Sequence, residues 1–162
     1  MLTITDLFDL DHTIAKDYLA QFTYPWEALA GIKDFILSVG PTLEGYDEVS
    51  PQVWVHKTAT VAPTAFLGAP CIIGAHTEVR HCAFIRGSAL VGENCVVGNS
   101  VELKNVILFD NVQVPRRSGS NQTVPLLVAC EFSFLPKAWA YYTTGKKGCQ
   151  EKMLQIDKLF NE

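Results

Sequence analysis

The chain reads as a parallel β-helix, and three observations in its middle say so. Stepping six residues at a time from Val55 gives Val61, Leu67, Ile73, Val79, Ile85, Val91, Val97, Leu103 and Phe109, and every one of these positions is apolar. A small side chain stands two residues before each from Val61 to Val97: Ala59, Ala65, Cys71, Thr77, Ala83, Ala89 and Cys95. Gly or Ala directly follows several of the aliphatics, at Ala62, Gly68, Gly74, Gly92 and Gly98. An ordinary strand repeats every second residue and a helix about every 3.6, so neither makes this pattern. A fixed short repeat marks an array, and a hexad marks a β-helix.

Each hexad supplies one short strand and one turn, and three hexads close a triangular coil. The aliphatic points into the prism, and the small residue points inward at a corner where room is short. Gly or Ala beside the turn is expected to relax its tight backbone geometry. Coils stack through parallel ladders about 4.8 Å apart, so each coil touches only its neighbours. The hexads from 51 to 115 therefore predict about three coils.

Residues 1-50 read as a helical cap. Ile14, Tyr18 and Phe22 share one helical face. Pro25 suits the first turn of a second helix with Trp26, Leu29, Ile32, Ile36 and Val39 along its stripe, stopped by Gly40-Pro41. Gly45 to Pro51 reads as polar linker. The helical face is expected to lie over the first coil and cover its open edge. Residues 116-162 lose the hexads and form an irregular tail, possible cover for the last coil; Ser118–Thr123 reads as loop, Leu126–Ala129 and Phe132–Leu135 as strands, and Gln150–Phe160 as a helix.

Composition bounds the function. A chain of 162 residues makes one domain with at most a small appendage, and 48% hydrophobic residues suffice for a core. The net charge of −4 argues against nucleic acid or an anionic membrane as partner. No apolar run is long enough for a signal or membrane helix, so a cytoplasmic location is expected. Cys71 and Cys95 fall on inward small positions, and Cys82, Cys130 and Cys149 lack metal spacing, so neither zinc nor a disulfide framework is expected.

The residues that break the hexad rule are the candidates for function. Arg80, Arg86 and Lys104 occupy the place that usually holds Gly or Ala. Arg86 and Lys104 are eighteen residues apart, one full coil. Two cations about 5 Å apart repel by about 1 kcal/mol in water. Spacing alone leaves two readings open: a solvated basic face neutralised by Glu78, Glu93 or Glu102, or a phosphate site in which an anion relieves the repulsion. His76 and His81 stand five apart with His56 upstream, a spacing similar to that of the zinc ligands of gamma-class carbonic anhydrases. His56 is offset by two from a full coil, so no metal is expected; His81 would instead stack under Asn99 and hydrogen-bond to it. Asp9, Asp11 and Thr13 resemble the DxDxT signature of haloacid-dehalogenase-type phosphatases. Asp6 interrupts the strand that such a site needs, and Asp11 or Thr13 reads as a helix cap.

Residues 82-115, CAFIRGSALVGENCVVGNSVELKNVILFDNVQVP, resemble the acetyltransferase domain of the bifunctional N-acetylglucosamine-1-phosphate uridyltransferase family. LFDLDHTIAK and YPWEAL extend the resemblance, from residue 1 to about 115, to stand-alone hexapeptide-repeat proteins labelled UDP-N-acetylglucosamine pyrophosphorylase-like. The resemblance implies a left-handed prism, a homotrimer, acetyl-CoA as cofactor and a sugar phosphate or nucleotide sugar as ligand. It places the phosphate-binding Arg on Arg86, in AFIRG, and the Lys on Lys104, in GNSVELK. By their places in the hexads, His81, Asn99 and Glu102 are candidate supporting residues. Beyond 115 the pattern departs. The family's general-base His falls on Arg116 and its sugar-phosphate Tyr on Gly119. A guanidinium cannot accept a proton at neutral pH, and the later coils that would hold acetyl-CoA are replaced. The resemblance thus implies either an acyltransferase or, with its catalysis impaired, a sugar-phosphate-binding or scaffold relative.

Overall fold

The computed structural model describes residues 3–115 together with the strands Leu127–Ala129 and Trp139–Ala140. Three short α-helices come first: α1 (Ile4–Leu7), α2 (Lys16–Leu19) and α3 (Ile32–Val39). An antiparallel pair follows, β1 (Tyr46–Ser50) with β2 (Val53–His56). The chain then winds through three walls: β3 (Thr60–Val61), β4 (Phe66–Leu67), β5 (Cys71–Ile73), β6 (Glu78–Val79), β7 (Phe84–Ile85), β8 (Ala89–Val91), β9 (Val96–Val97), β10 (Glu102–Leu103), β11 (Val106–Leu108) and β12 (Gln113–Val114).

All pairings between coils are parallel. Wall A stacks β2, β5, β8 and β11; wall B stacks β3, β6, β9 and β12; wall C stacks β4, β7 and β10. The result is a left-handed β-helix of about three turns, as the hexads predict. Its interior is three aliphatic columns: Val55–Ile73–Val91–Leu108, Val61–Val79–Val97–Val114 and Leu67–Ile85–Leu103. The small residues fill the corners; Cys71, Thr77, Ala83, Ala89 and Cys95 are all buried. Thr77 is the polar exception, and it is satisfied. Its hydroxyl donates to Gly92 O at 2.7 Å and accepts from Cys95 N at 3.0 Å, tying two coils together.

The last coil departs from the hexad rule. Val91 pairs with Leu108 and Val97 with Val114, steps of seventeen rather than eighteen. The left-handed backbone positions show where a residue is missing. They recur every six residues at His76, Cys82, Ser88, Asn94 and Ser100, then come at Asn105 after five, then at Asn111. The turn after Leu103 is one residue short. Leu108 therefore fills the prism and Phe109 takes the position held by Gly92 and Gly74 one and two coils before. There it stacks on Phe8 of the N-terminal segment, with ring centroids 5.5 Å apart. The tight turn positions carry Asn, Ser, His and Cys more often than Gly, because Asn and other polar residues tolerate this region. Gly74 serves close approach instead: a Cβ there would lie 2.4 Å from Gly92 O.

The N-terminal segment covers a side of the prism, where the sequence predicted cover for its end. The outward residues of wall A, Trp54, Ile72, Leu90 and Ile107, form one ladder and are all buried. They join one core with Ile4, Phe8, Ala15, Leu19, Ala28, Ile32 and Ile36. Gly40 closes on the Trp54 ring so tightly that a Cβ would fall 2.4 Å from it. Burying each large side chain of this kind contributes about 1.5–3 kcal/mol. The first coil's edge on wall A is covered by β1, so Gly45 to Pro51 is a strand and turn, not linker. Its side chains are mostly exposed and polar, which suits an outermost strand.

The helices are shorter than expected. α2 ends at Leu19, where Phe22 N bonds back to Leu19 O, and the buried pair is Ala15 with Leu19. Ile14, expected on the buried face, is 45% exposed. Tyr18 and Phe22 do pack, edge to face at 5.2 Å, and Tyr18 stacks on Phe35 at 4.7 Å. Pro25 opens a 3₁₀ stretch, Pro25–Gly31, that leads into α3, whose Ile32 and Ile36 are buried. Beyond 115, β13 (Leu127–Ala129) pairs in parallel with β11, and β14 (Trp139–Ala140) pairs antiparallel with β13, so the tail extends wall A. The expected loop at 118–123, strand at 132–135 and helix at 150–160 lie outside the described residues. Among the described residues no helix is long and apolar enough to cross a membrane.

Candidate anion site on wall C

Wall C has an open outer face and carries a cation column. Its register pairs Glu102 with Phe84 and Leu103 with Ile85, and below them Phe84 with Phe66 and Ile85 with Leu67. The next residue on each rung is Lys104, Arg86 and Gly68. Arg86 and Lys104 thus sit on adjacent rungs, about 4.8 Å apart in backbone, and both are exposed. The backbone is continuous there: Arg86 N donates to Leu103 O at 2.8 Å, and Gly68 N to Ile85 O at 2.6 Å.

Arg86 is not a bare charge. Its Nη1 donates to Glu102 Oε1 at 2.9 Å across the rung. An exposed pair of this kind is worth little, about 0–1 kcal/mol. It occupies one of the five guanidinium donors, and the side chain as a whole stays 43% exposed. Arg80 is set apart from this column. It lies beside wall B and grips Glu78 through Nε and Nη2, both at 3.1 Å, which pushes its already high pKa up.

The supporting residues scatter. His81 and Asn99 stand at the corner where the chain enters wall C, and Arg86 and Lys104 where it leaves. His81 does not bond to Asn99 as expected. Its Nδ1 lies 3.0 Å from Thr64 Oγ1, one coil earlier. The hydroxyl of Thr64 also accepts from Cys82 N at 3.1 Å, which fixes that corner. Of the three, only Glu102 touches the cation column.

The other two motifs have structural jobs. Asp9 accepts from Asp11 N at 3.0 Å, Asp11 pairs with Lys16, and Thr13 accepts from Ala15 N at 3.2 Å. The Lys16 ammonium holds the Asp11 carboxyl below its usual range. Thr13 closes a turn just ahead of α2, but the N-cap of α2 is Ala15 with no side-chain cap, so neither Asp11 nor Thr13 caps a helix as expected; Asp9 caps the short 3₁₀ turn Leu10–His12 instead. A helix, not a strand, precedes the motif. His56, His76 and His81 do not converge: His56 Nδ1 meets Thr58 Oγ1 at 2.9 Å, and His76 N donates to the same hydroxyl at 2.9 Å. Among the described residues no group of His, Cys, Asp or Glu is arranged to hold a metal ion. Cys71 is fully buried, and burial pushes its thiol up to about 12.

Sequence reasoning missed Phe66 and Phe84. Both lie on the outer face of wall C, 54% and 43% exposed, with ring centroids 5.1 Å apart. The available signal was position: each stands one residue before an inward aliphatic, where wall B carries Thr60 and Glu78. Arg116 and Gly119, at the places of the resembled family's base and Tyr, lie outside the described residues. No family model matches the chain, and no curated protein matches it.

Proposed function

We propose that this chain is a hexapeptide-repeat relative of the amino-sugar-phosphate acetyltransferases that holds a sugar phosphate or nucleotide sugar on wall C and does not transfer an acyl group. The observation that carries this reading is the register of β7 with β10, which sets Arg86 and Lys104 on neighbouring rungs of an exposed wall. A phosphate oxyanion lying between them relieves their repulsion and takes charge-assisted hydrogen bonds from both. Arg86 offers a planar fork and Lys104 a mobile point charge. Glu102 opposes the anion and shares the guanidinium with it.

The absence of transfer is argued from Arg116, which stands where the resembled enzymes need a proton acceptor and cannot be one. The same resemblance supports a homotrimer and implies acetyl-CoA, and the lack of a long apolar run in the sequence favours a cytoplasmic location; the binding reading needs no acetyl-CoA. Titration of glucosamine 1-phosphate by calorimetry tests the binding half. Arg86→Ala and Lys104→Ala should each weaken binding at least fivefold, and Glu102→Gln should strengthen it. Wild-type protein that binds no phosphate ester would refute the reading, as would full binding by the double Arg86→Ala, Lys104→Ala variant. Steady acetyl-CoA-dependent acylation of glucosamine 1-phosphate would overturn the non-catalytic half.

A further inference from the structure

Wall C carries a second column beside the cations. Along each strand, residues two apart face the same side, about 6.6 Å from one another. The outer face is thus a grid with Phe66 beside Gly68, Phe84 beside Arg86, and Glu102 beside Lys104. The two phenyl rings stand 5.1 Å apart and tilted by 43°, and both are open to solvent. Gly68 leaves the place under Arg86 without a side chain. A Cβ there would press on the Arg86 carbonyl carbon at 2.9 Å. The grid is therefore an aromatic platform, a shallow step at Gly68, and a pair of cations within one residue pair's reach.

We infer that this platform takes the base of a nucleoside phosphate, with Phe66 and Phe84 stacking on the base while Arg86 and Lys104 hold its phosphate. The inference rests on the phosphate reading of Arg86 and Lys104 and selects among its ligands. A plain sugar phosphate offers the platform no planar ring, and its phosphate sits directly on the sugar. A nucleoside phosphate places base and phosphate on opposite ends of a ribose, a separation comparable to the spacing of the two columns. Stacking on an aromatic ring tolerates any base, because every base has a π-face. The platform therefore predicts weak discrimination among bases and strong discrimination against a ligand without one. Glu102 closes the aromatic column and holds the guanidinium edge at 2.9 Å, which fixes Arg86 beside Phe84.

The test compares UMP and AMP with ribose 5-phosphate, which keeps the sugar and phosphate and lacks the base. Chemical-shift titration of the full chain should show both nucleotides binding at least tenfold more tightly than ribose 5-phosphate. Phe84→Ala, and separately Phe66→Ala, should remove that advantage and leave ribose 5-phosphate affinity within twofold. Both side chains are exposed, so circular dichroism should show an unchanged fold; Phe84→Leu supplies a second variant that keeps apolar bulk and loses the ring. Equal affinity for UMP and ribose 5-phosphate, with both lost in Arg86→Ala, would sink the stacking inference and leave the phosphate reading standing. No binding of any of the three ligands would sink the phosphate reading as well.

Discussion

Gly74→Ala sets two effects of opposite sign against each other. Its backbone is not in the left-handed region, so alanine fits the local conformation. Restricting the unfolded chain would then stabilise the protein by about 0.4–1 kcal/mol. Against this stands the next coil of wall A. The new Cβ would lie 2.4 Å from Gly92 O, 2.5 Å from Gly92 C and 2.8 Å from Glu93 N. These are backbone atoms and cannot rotate away. Contact below 3.0 Å is not sustained, so the coils must part locally by about 0.6 Å. The Gly74 N to Val91 O bond, now 2.8 Å, would stretch toward the edge of bonding distance. Overpacking of this kind costs about 1–3 kcal/mol, and a weakened ladder bond up to about 1 more. The steric effect wins, for a net loss of about 2 kcal/mol. That lowers the melting temperature by roughly 4–8 °C in a chain of this size. Urea unfolding and calorimetric melting of Gly74→Ala beside wild type provide the measurement. A variant that melts at the wild-type temperature or above would show that the coils are not closed at this point, and the packing argument for wall A would fail.

Other outcomes follow from the same contacts. Thr77→Val keeps the shape but strands Gly92 O and Cys95 N in the interior, so urea unfolding should show a loss of about 2–4 kcal/mol. Thr77→Ser keeps both bonds and should lose only about 1 kcal/mol. In the native protein, thiol labelling followed by peptide mapping should modify exposed Cys82 and spare Cys71 and Cys95. Cys71 is spared both by burial and by a thiol raised to about 12; its labelling at mildly alkaline pH would contradict the fold. Burial raises the Asp110 carboxyl above its ordinary 3.8, Glu93 adds to this, and the Glu93 N–H bond and His12 oppose it. The folded state then holds this proton more tightly than the unfolded one, so its contribution is full below 3.8 and is lost as pH rises through the raised value. Asp110→Asn keeps the acceptor for Glu93 N and should be more stable than wild type near neutral pH, with the advantage gone in acid. An advantage that persists below the ordinary carboxylate range would refute the desolvation account.

The prism was legible because its rule is local. An inward aliphatic every six residues and a small residue at each corner state the geometry without any distant partner. Adjacency on neighbouring coils follows from counting, so the stacking of Arg86 and Lys104 could be read from an eighteen-residue interval. Counting fails where a turn changes length. The short turn at Asn105 moves Leu108 inward and puts Phe109 outside, and both residues are apolar, so hydropathy cannot tell them apart. Only the ladder of hydrogen bonds fixes that register.

What packs on the outside of the prism is a tertiary matter. The apolar outward positions Trp54, Ile72, Leu90 and Ile107 were visible in the chain, yet each also fits a simple aliphatic run. The structure shows them buried in one core with Phe8, Leu19 and Ile36 of the N-terminal segment, while Phe66 and Phe84 on wall C stay uncovered. A repeat specifies its own interior, since every coil supplies its own walls. Which wall receives the N-terminal segment depends on the fit of two surfaces far apart in sequence, and no local spacing encodes that choice.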